Sequence, residues 1–263
     1  MSKVNYHTHT SRCHHADGTD EEYILRAIRG GYSVLGFSDH TPWPYASGFI
    51  SHSRMLPCQL EDYVCQLRML RDKYKEQIDI KIGLECENYP EYIPWLKEQI
   101  EKYQLDYVLF GSHHYPSEEV SGYFGQFCTD AVMLAKYEQS VIEGMQSGLY
   151  AYLAHPDLFM ASYPKFDENC IEVSRHICQE ANRLNMTIEY NLGCAAYCEK
   201  TGEVLFPYPR FWEIAAEEGC TAIIGIDAHN PLWLETPHYF DEALRYLTDL
   251  GIKTTTEIPL RTY

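Results

Sequence analysis

Tyr6-His7-Thr8-His9-Thr10-Ser11-Arg12-Cys13-His14-His15 closes the first short apolar run of the chain and delivers four imidazoles where that run ends. His7 and His9 are two residues apart, so in extended chain both rings project from the same side. The arrangement recurs. Gly36-Phe37-Ser38-Asp39-His40, Gly83-Leu84-Glu85-Cys86-Glu87, Phe110-Gly111-Ser112-His113-His114, Leu153-Ala154-His155-Pro156-Asp157 and Gly225-Ile226-Asp227-Ala228-His229 each carry histidine, aspartate or glutamate at the end of a similar run. Nine of the twelve histidines lie in these segments, and only His52, His176 and His238 lie elsewhere. Taken singly, a histidine at a strand end is more often a hydrogen-bonded residue than a ligand. Six strand ends sharing the feature point instead to one metal cluster, as a barrel builds at one mouth.

Outward from these segments, strand and helix alternate through the whole length. Strands are expected at Val4–His7, Val34–Ser38, Asp79–Leu84, Tyr107–Phe110, Ala151–Ala154, Thr187–Tyr190 and Ala222–Gly225, with a last one at Lys253–Glu257. Helices are expected at Asp20–Arg29, Leu60–Tyr74, Tyr92–Tyr103, Thr129–Gln146, Asn169–Leu184, Pro209–Glu218 and Phe240–Leu250, with Asp20 and Thr129 as N-caps. Gly30-Gly31, Gly148, Gly219 and Gly251 each stand just past a helix, where a left-handed residue is wanted. Regular alternation implies parallel strands, and seven or eight units without a long linker favour a closed α/β barrel in a single domain over residues 1–263. Thr41–Gln59 and Leu192–Tyr208 follow strands and are expected to form ordered walls at the site. No GxGxxG or Walker-type loop is present, which removes the usual nucleotide-binding reading.

Composition narrows the partners. A net charge of −17 argues against nucleic acid or an anionic membrane surface as the main partner, so cations must supply any positive field an anionic substrate meets. Ten scattered cysteines without a CxxC pair, and no apolar leader or spanning run, read as reduced thiols in a cytoplasmic protein. Cysteines spaced in this way do not suggest a zinc site of their own. No helical stripe marks an oligomer interface. Imidazole and carboxylate donors suit zinc, iron or manganese, and the number of donors suits two or three ions with a carboxylate such as Glu85 bridging.

The series HTHTSRCHH, GFSDHTP, GLECE, GSHHY, AHPDL and GIDAH, in this order, resembles the motifs of the PHP (polymerase and histidinol phosphatase) superfamily, and within it the stand-alone histidinol-phosphate phosphatase branch. The resemblance covers essentially the entire chain. It implies a distorted (β/α)7 TIM-like barrel with a trinuclear site that hydrolyses phosphate monoesters, with L-histidinol phosphate as the expected substrate. It places His7, His9, Glu85 and Asp227 on the first ion, Glu85, His114 and His155 on the second, and His15, His40 and His229 on the third. The family spacing favours His15 over His14 and His114 over His113. Asp39 is expected to orient a liganding histidine. The implied chemistry is attack by a hydroxide between the first two metals, with Glu85 bridging and Asp227 or His229 assisting proton transfer to the leaving oxygen.

The branch also carries basic residues after the HPDL-type motif and after the sixth strand. Here those segments read FMASYPKF and NLGCAAYCEK, so Lys165, Lys200 and Arg210 are the nearest substitutes. With Trp43 and Tyr115, they are the expected substrate contacts. Other readings are a PHP phosphoesterase acting on another phosphorylated metabolite or on phosphotyrosine, and an amidohydrolase-like metal-dependent hydrolase. The GLE carboxylate and the DAH segment favour the PHP pattern over the last of these.

Overall fold

The computed structural model describes residues 3–262, without the side chain of Pro237. It divides into two compact units, one formed by the described residues up to Leu109 with Ile226–Pro237 and the residues from Pro259, the other by Phe110–Gly225 and His238–Ile258.

In the first unit, parallel strands β1 (Lys3–Asn5), β2 (Tyr32–Phe37) and β3 (Asp79–Cys86) lie side by side, followed by β4 (Tyr107–Phe110) up to Leu109. Val34 to Phe37 pair in register with Asp79 to Ile82. Helices α1 (Asp20–Arg29), α2 (Leu60–Tyr74) and α3 (Ile93–Lys102) are amphipathic and bury Tyr23, Ile24, Tyr63, Leu67, Leu96 and Ile100. The cap of α1 is Thr19, one residue before the expected Asp20. It forms a capping box with Glu22, and Asp20 joins the acidic first turn opposite Arg26 and Arg29 in the last. Tyr107 fills the space between strands. Its hydroxyl donates to Tyr6 O at 2.6 Å and to Phe37 O at 3.1 Å. A Cβ on Gly36 would meet that hydroxyl at 2.4 Å, and one on Gly83 would meet the ring at 2.8 Å, so both positions need glycine. The phenol thereby fixes the strand ends from which His7 and Ser38-Asp39 depart.

In the second unit, Phe110 pairs with Leu153 of β5 (Tyr152–Leu153), and β6 (Thr187–Asn191), β7 (Thr221–Gly225) and β8 (Lys253–Thr254) follow in order, all parallel. The helices are α4 (Phe124–Phe127), α5 (Ala131–Gln146), α6 (Glu168–Arg183), α7 (Ala195–Thr201), α8 (Pro209–Glu217) and α9 (Pro237–Asp249). Tyr137, Val141, Ile177, Ile188, Phe211 and Trp212 are core residues of this unit. Asp130, not Thr129, caps α5 and accepts from the amides of Val132 and Met133 at 2.9 Å each. Gly148, Gly219 and Gly251 are left-handed, as their positions past helices required. The sequence gives no sign of α4 or α7. α4 is a single turn, and α7 buries none of its residues, so neither shows an amphipathic stripe. No helix among the described residues is long and apolar enough to cross a membrane.

Candidate metal centre

Single ladder rungs extend the strands of the first unit beyond their regular ends and carry the ligand-type residues. Thr8 pairs with Ala228 and His40 with Glu85, both in parallel. His9 N donates to Ala228 O at 3.0 Å, Ala228 N to His7 O at 3.1 Å, and Glu85 N to Asp39 O at 3.0 Å. His7, His9, Asp39 and Glu85 are buried, and Asp227, His40 and His229 partly so. Asp227 is held with φ at 51°, a left-handed conformation that costs a non-glycine residue about 1–3 kcal/mol and that the surrounding ladder supports.

The side chains converge. Glu85 Oε1 lies 3.5 Å from His7 Nε2, and Oε2 lies 2.9 Å from His40 Nδ1 and 3.5 Å from His9 Nε2. Asp227 Oδ1 is 3.1 Å from His9 Nε2 and 3.4 Å from both His7 Nε2 and His229 Nδ1. Asp39 reaches the other face of His9, with Oδ1 3.5 Å from Nδ1, while its second oxygen accepts from the Thr10 hydroxyl. Asp39 is thus placed to hold the His9 ring in orientation. The His9 ring stacks on that of His229 at 4.0 Å. His15, rather than His14, enters the cluster, with its Nε2 3.0 Å from His229 Nε2.

Charge explains the local proton affinities. Burial works against the charged form of His9, yet Asp227, Asp39 and Glu85 together raise its pKa to about 9. Burial, reinforced by the neighbouring His9, lowers His229 to about 3. Asp227 stays well below the carboxylate range despite burial, because His7, His9 and His229 surround it.

The donor sets His7-His9-Asp227 and His9-His40-His229 each bring their ligand atoms within 4.8 Å of one another. Imidazole nitrogens facing each other at 3.0 Å, beside buried carboxylates, are the donor chemistry of a first-row divalent ion, and these residues fit one. Since a metal requires neutral imidazole, its uptake must displace the His9 proton. The raised pKa of His9 stabilises the metal-free fold fully below about pH 6.5, and that contribution is lost as pH rises through about 9. Metal affinity should move oppositely and strengthen by up to about tenfold per pH unit across that window. Calorimetric titration in buffers of different ionisation enthalpy should find about one proton fewer released on metal uptake above pH 10 than at pH 7.

In the second unit, His113 and His155 are both buried, and their Nε2 atoms lie 3.2 Å apart. His114, expected from the family spacing, instead places its Nδ1 3.2 Å from Ser121 O. The chain leaves β4 after Phe110, and Phe124 N anchors His113 O at 2.8 Å, which sends the first of the two adjacent rings to His155. The amide of His155 donates to buried Glu189, and φ of His155 is 29°. Asp157, two residues on, accepts from Tyr208 N at 2.6 Å, and burial raises its pKa to about 7.

The expected substrate contacts fare differently. Trp43 is not a rim residue. It is 2% exposed and packs on Tyr89 and Tyr92, and its Nε1 donates to Glu87 Oε2 at 2.7 Å. Arg210 is engaged by Glu213 and Glu217 on its own helix, at 2.8 and 3.0 Å. The Tyr115 hydroxyl contacts Glu143 of α5 at 3.2 Å. Lys165 and Lys200 are exposed on the second unit. His176 pairs with Glu138 on the surface, which suits an ordinary surface histidine.

Sequence reading missed Arg54. It is 3% exposed and grips Glu87 with two nitrogens, at 2.9 and 3.2 Å, while donating to Thr41 O at 3.1 Å. This pair ties the segment after β2, and with it His40, to the end of β3 that bears Glu85. Arg54→Met leaves a buried carboxylate without its cation and should destabilise the protein by about 3–5 kcal/mol. Urea unfolding should show the loss, and Glu87→Leu added to Arg54→Met should recover much of it.

A family model described as the PHP domain matches residues 5–193. A protein of Deinococcus radiodurans named probable histidinol-phosphatase is 28% identical over 262 residues, covering 95% of this chain and 94% of its own. One of the same name from Schizosaccharomyces pombe is 25% identical, covering 95% and 87% respectively. A crystal structure of histidinol phosphate phosphatase from Lactococcus lactis, complexed with zinc, L-histidinol and phosphate, matches with a TM-score of 0.75 over 99% of both chains at 17% identity. At that identity the likeness carries the fold, and the α/β, TIM-like barrel class expected from the sequence is the class of this chain.

Proposed function

The chain belongs to the PHP domain family, and from that membership we propose that it is a metal-dependent phosphomonoesterase that hydrolyses L-histidinol phosphate to L-histidinol and phosphate. The observation that carries the reading is the convergence of His7, His9, His40, Glu85, Asp227 and His229 on shared donor sets in the first unit. The names of the relatives from Deinococcus radiodurans and Schizosaccharomyces pombe support the substrate. We assign His7, His9, Glu85 and Asp227 to one divalent ion and His15, His40 and His229 to another. His113 and His155 present paired imidazoles for a further ion, in place of the His114 that the motif spacing favoured. Zinc, iron and manganese all suit these donors.

Bound ions supply positive charge for the phosphoryl oxygens and a water acidic enough to attack near neutral pH. The chain's own residues do the rest. Asp39 holds His9 so that Nε2 faces Asp227 and Glu85. Glu85 turns one oxygen to His7 and the other to His9 and His40, so it would serve the ion held by His7 and His9 and could reach the one held by His40. Asp227, in contact with His229, is the group assigned to accept the proton of the attacking water and pass it to the departing alkoxide oxygen. With Arg210 engaged on its own helix, charge relief on the phosphate falls mainly to the ions.

Turnover of p-nitrophenyl phosphate by protein reloaded with manganese or zinc tests the reaction class. Phosphate release that needs the added ion is the expected result. No hydrolysis at full metal occupancy overturns the phosphatase reading.

A further inference from the structure

Cys13 is the soft donor that this ligand assignment leaves unused. It ends the short turn Ser11–Cys13 and is fully buried. Its Sγ and the ring nitrogens of His15 and His229 all lie within 4.8 Å of one another, and a second group joins the same sulfur to His9 and Asp39. The local chain makes this placement. The Thr10 side chain accepts from Arg12 N, and His14 takes a left-handed conformation with its amide on Ser11 O, which folds His15 back beside Cys13. His15 Nδ1 sits 2.7 Å from Cys13 O, so Nε2 is the atom turned to His229 Nε2, 3.0 Å away.

The spacing of the donors suits a metal-bound sulfur. Donor atoms around a tetrahedral zinc lie roughly 3.3–3.6 Å apart, given Zn–N and Zn–S bonds of about 2.0 and 2.3 Å, and the imidazole pair already stands close to that spacing.

We infer that Cys13 is a thiolate ligand to the ion held by His15 and His229, which makes that position a sulfur–nitrogen site favouring zinc or iron over manganese. The inference rests on the metal-centre reading and is independent of the substrate. In the step, the S–H bond breaks, a sulfur–metal bond forms, and the proton leaves to solvent. Cysteine spacing could not reveal the site, because the partners of this sulfur are histidines.

Cobalt(II) loading of the metal-free protein provides the test. A thiolate-to-cobalt charge-transfer band in the near ultraviolet is expected in the wild type and absent in Cys13→Ser, with cobalt bound at that position at least about tenfold more weakly. Cobalt uptake without the band, or a band that survives in Cys13→Ser, overturns the thiolate. Should Cys13→Ser not fold, zinc X-ray absorption on the wild type decides: a sulfur shell near 2.3 Å is expected, and a shell of light atoms only overturns it. Absence of any metal uptake overturns both this inference and the metal centre. The band without phosphate release overturns the phosphatase reading alone.

Discussion

Glu85→Gln is expected to lower phosphate release by at least about 10³-fold, equivalent to roughly 4 kcal/mol of transition-state stabilisation. The carboxylate is 1% exposed, and its oxygens face the rings of His7, His9 and His40 at 2.9–3.5 Å. Glutamine keeps the shape but removes the negative charge and turns an amide donor toward one set of imidazoles. The fold should survive because the backbone of Glu85 remains in its ladder, with its carbonyl accepting from Thr41 N at 2.9 Å. Metal content measured beside kcat separates the two routes to loss. Ions lost together with turnover mark Glu85 as a ligand, whereas a full metal complement with full turnover contradicts its bridging role.

Removing the ions should have the second large effect, on activity and stability together. The buried carboxylates of Asp39 and Glu85 and the partly buried one of Asp227 then rely on the neighbouring histidines for their compensating charge. Each ion present at about 1,000 times its Kd contributes about 4 kcal/mol to the folded state. For a protein of this size that amounts to a fall in Tm of about 10 °C per ion. Calorimetry before and after chelation, with zinc then returned, should show turnover and Tm lost and regained together. A chelated protein with unchanged Tm would contradict a metal cluster built into the fold.

Much of this was legible in the chain because two periodicities are strong. α1 and α2 run over the residues that their apolar spacing marks, and the ligand segments lie where the strand runs stop. Caps were read one residue late at Thr19 and one early at Asp130, since adjacent residues of capping type compete for the same role. The choice between His113 and His114 was beyond alternation, because the chain leaves β4 before reaching them. Trp43, an expected substrate contact, is buried against Glu87, which lies 44 residues away, and no local pattern announces a buried acceptor. Arg54 was hidden for the same reason. Arg210 is the opposite case, because Glu213 three residues on was already the spacing of a helical ion pair.

The central claim is tested most directly by inorganic phosphate released from L-histidinol phosphate by the metal-loaded protein, set against sugar phosphates, amino-alcohol phosphates and phosphotyrosine. The account predicts metal-dependent release with kcat/KM highest for L-histidinol phosphate and abolished in Glu85→Gln. Equal or greater kcat/KM on phosphotyrosine or a sugar phosphate, with L-histidinol phosphate untouched, would contradict it.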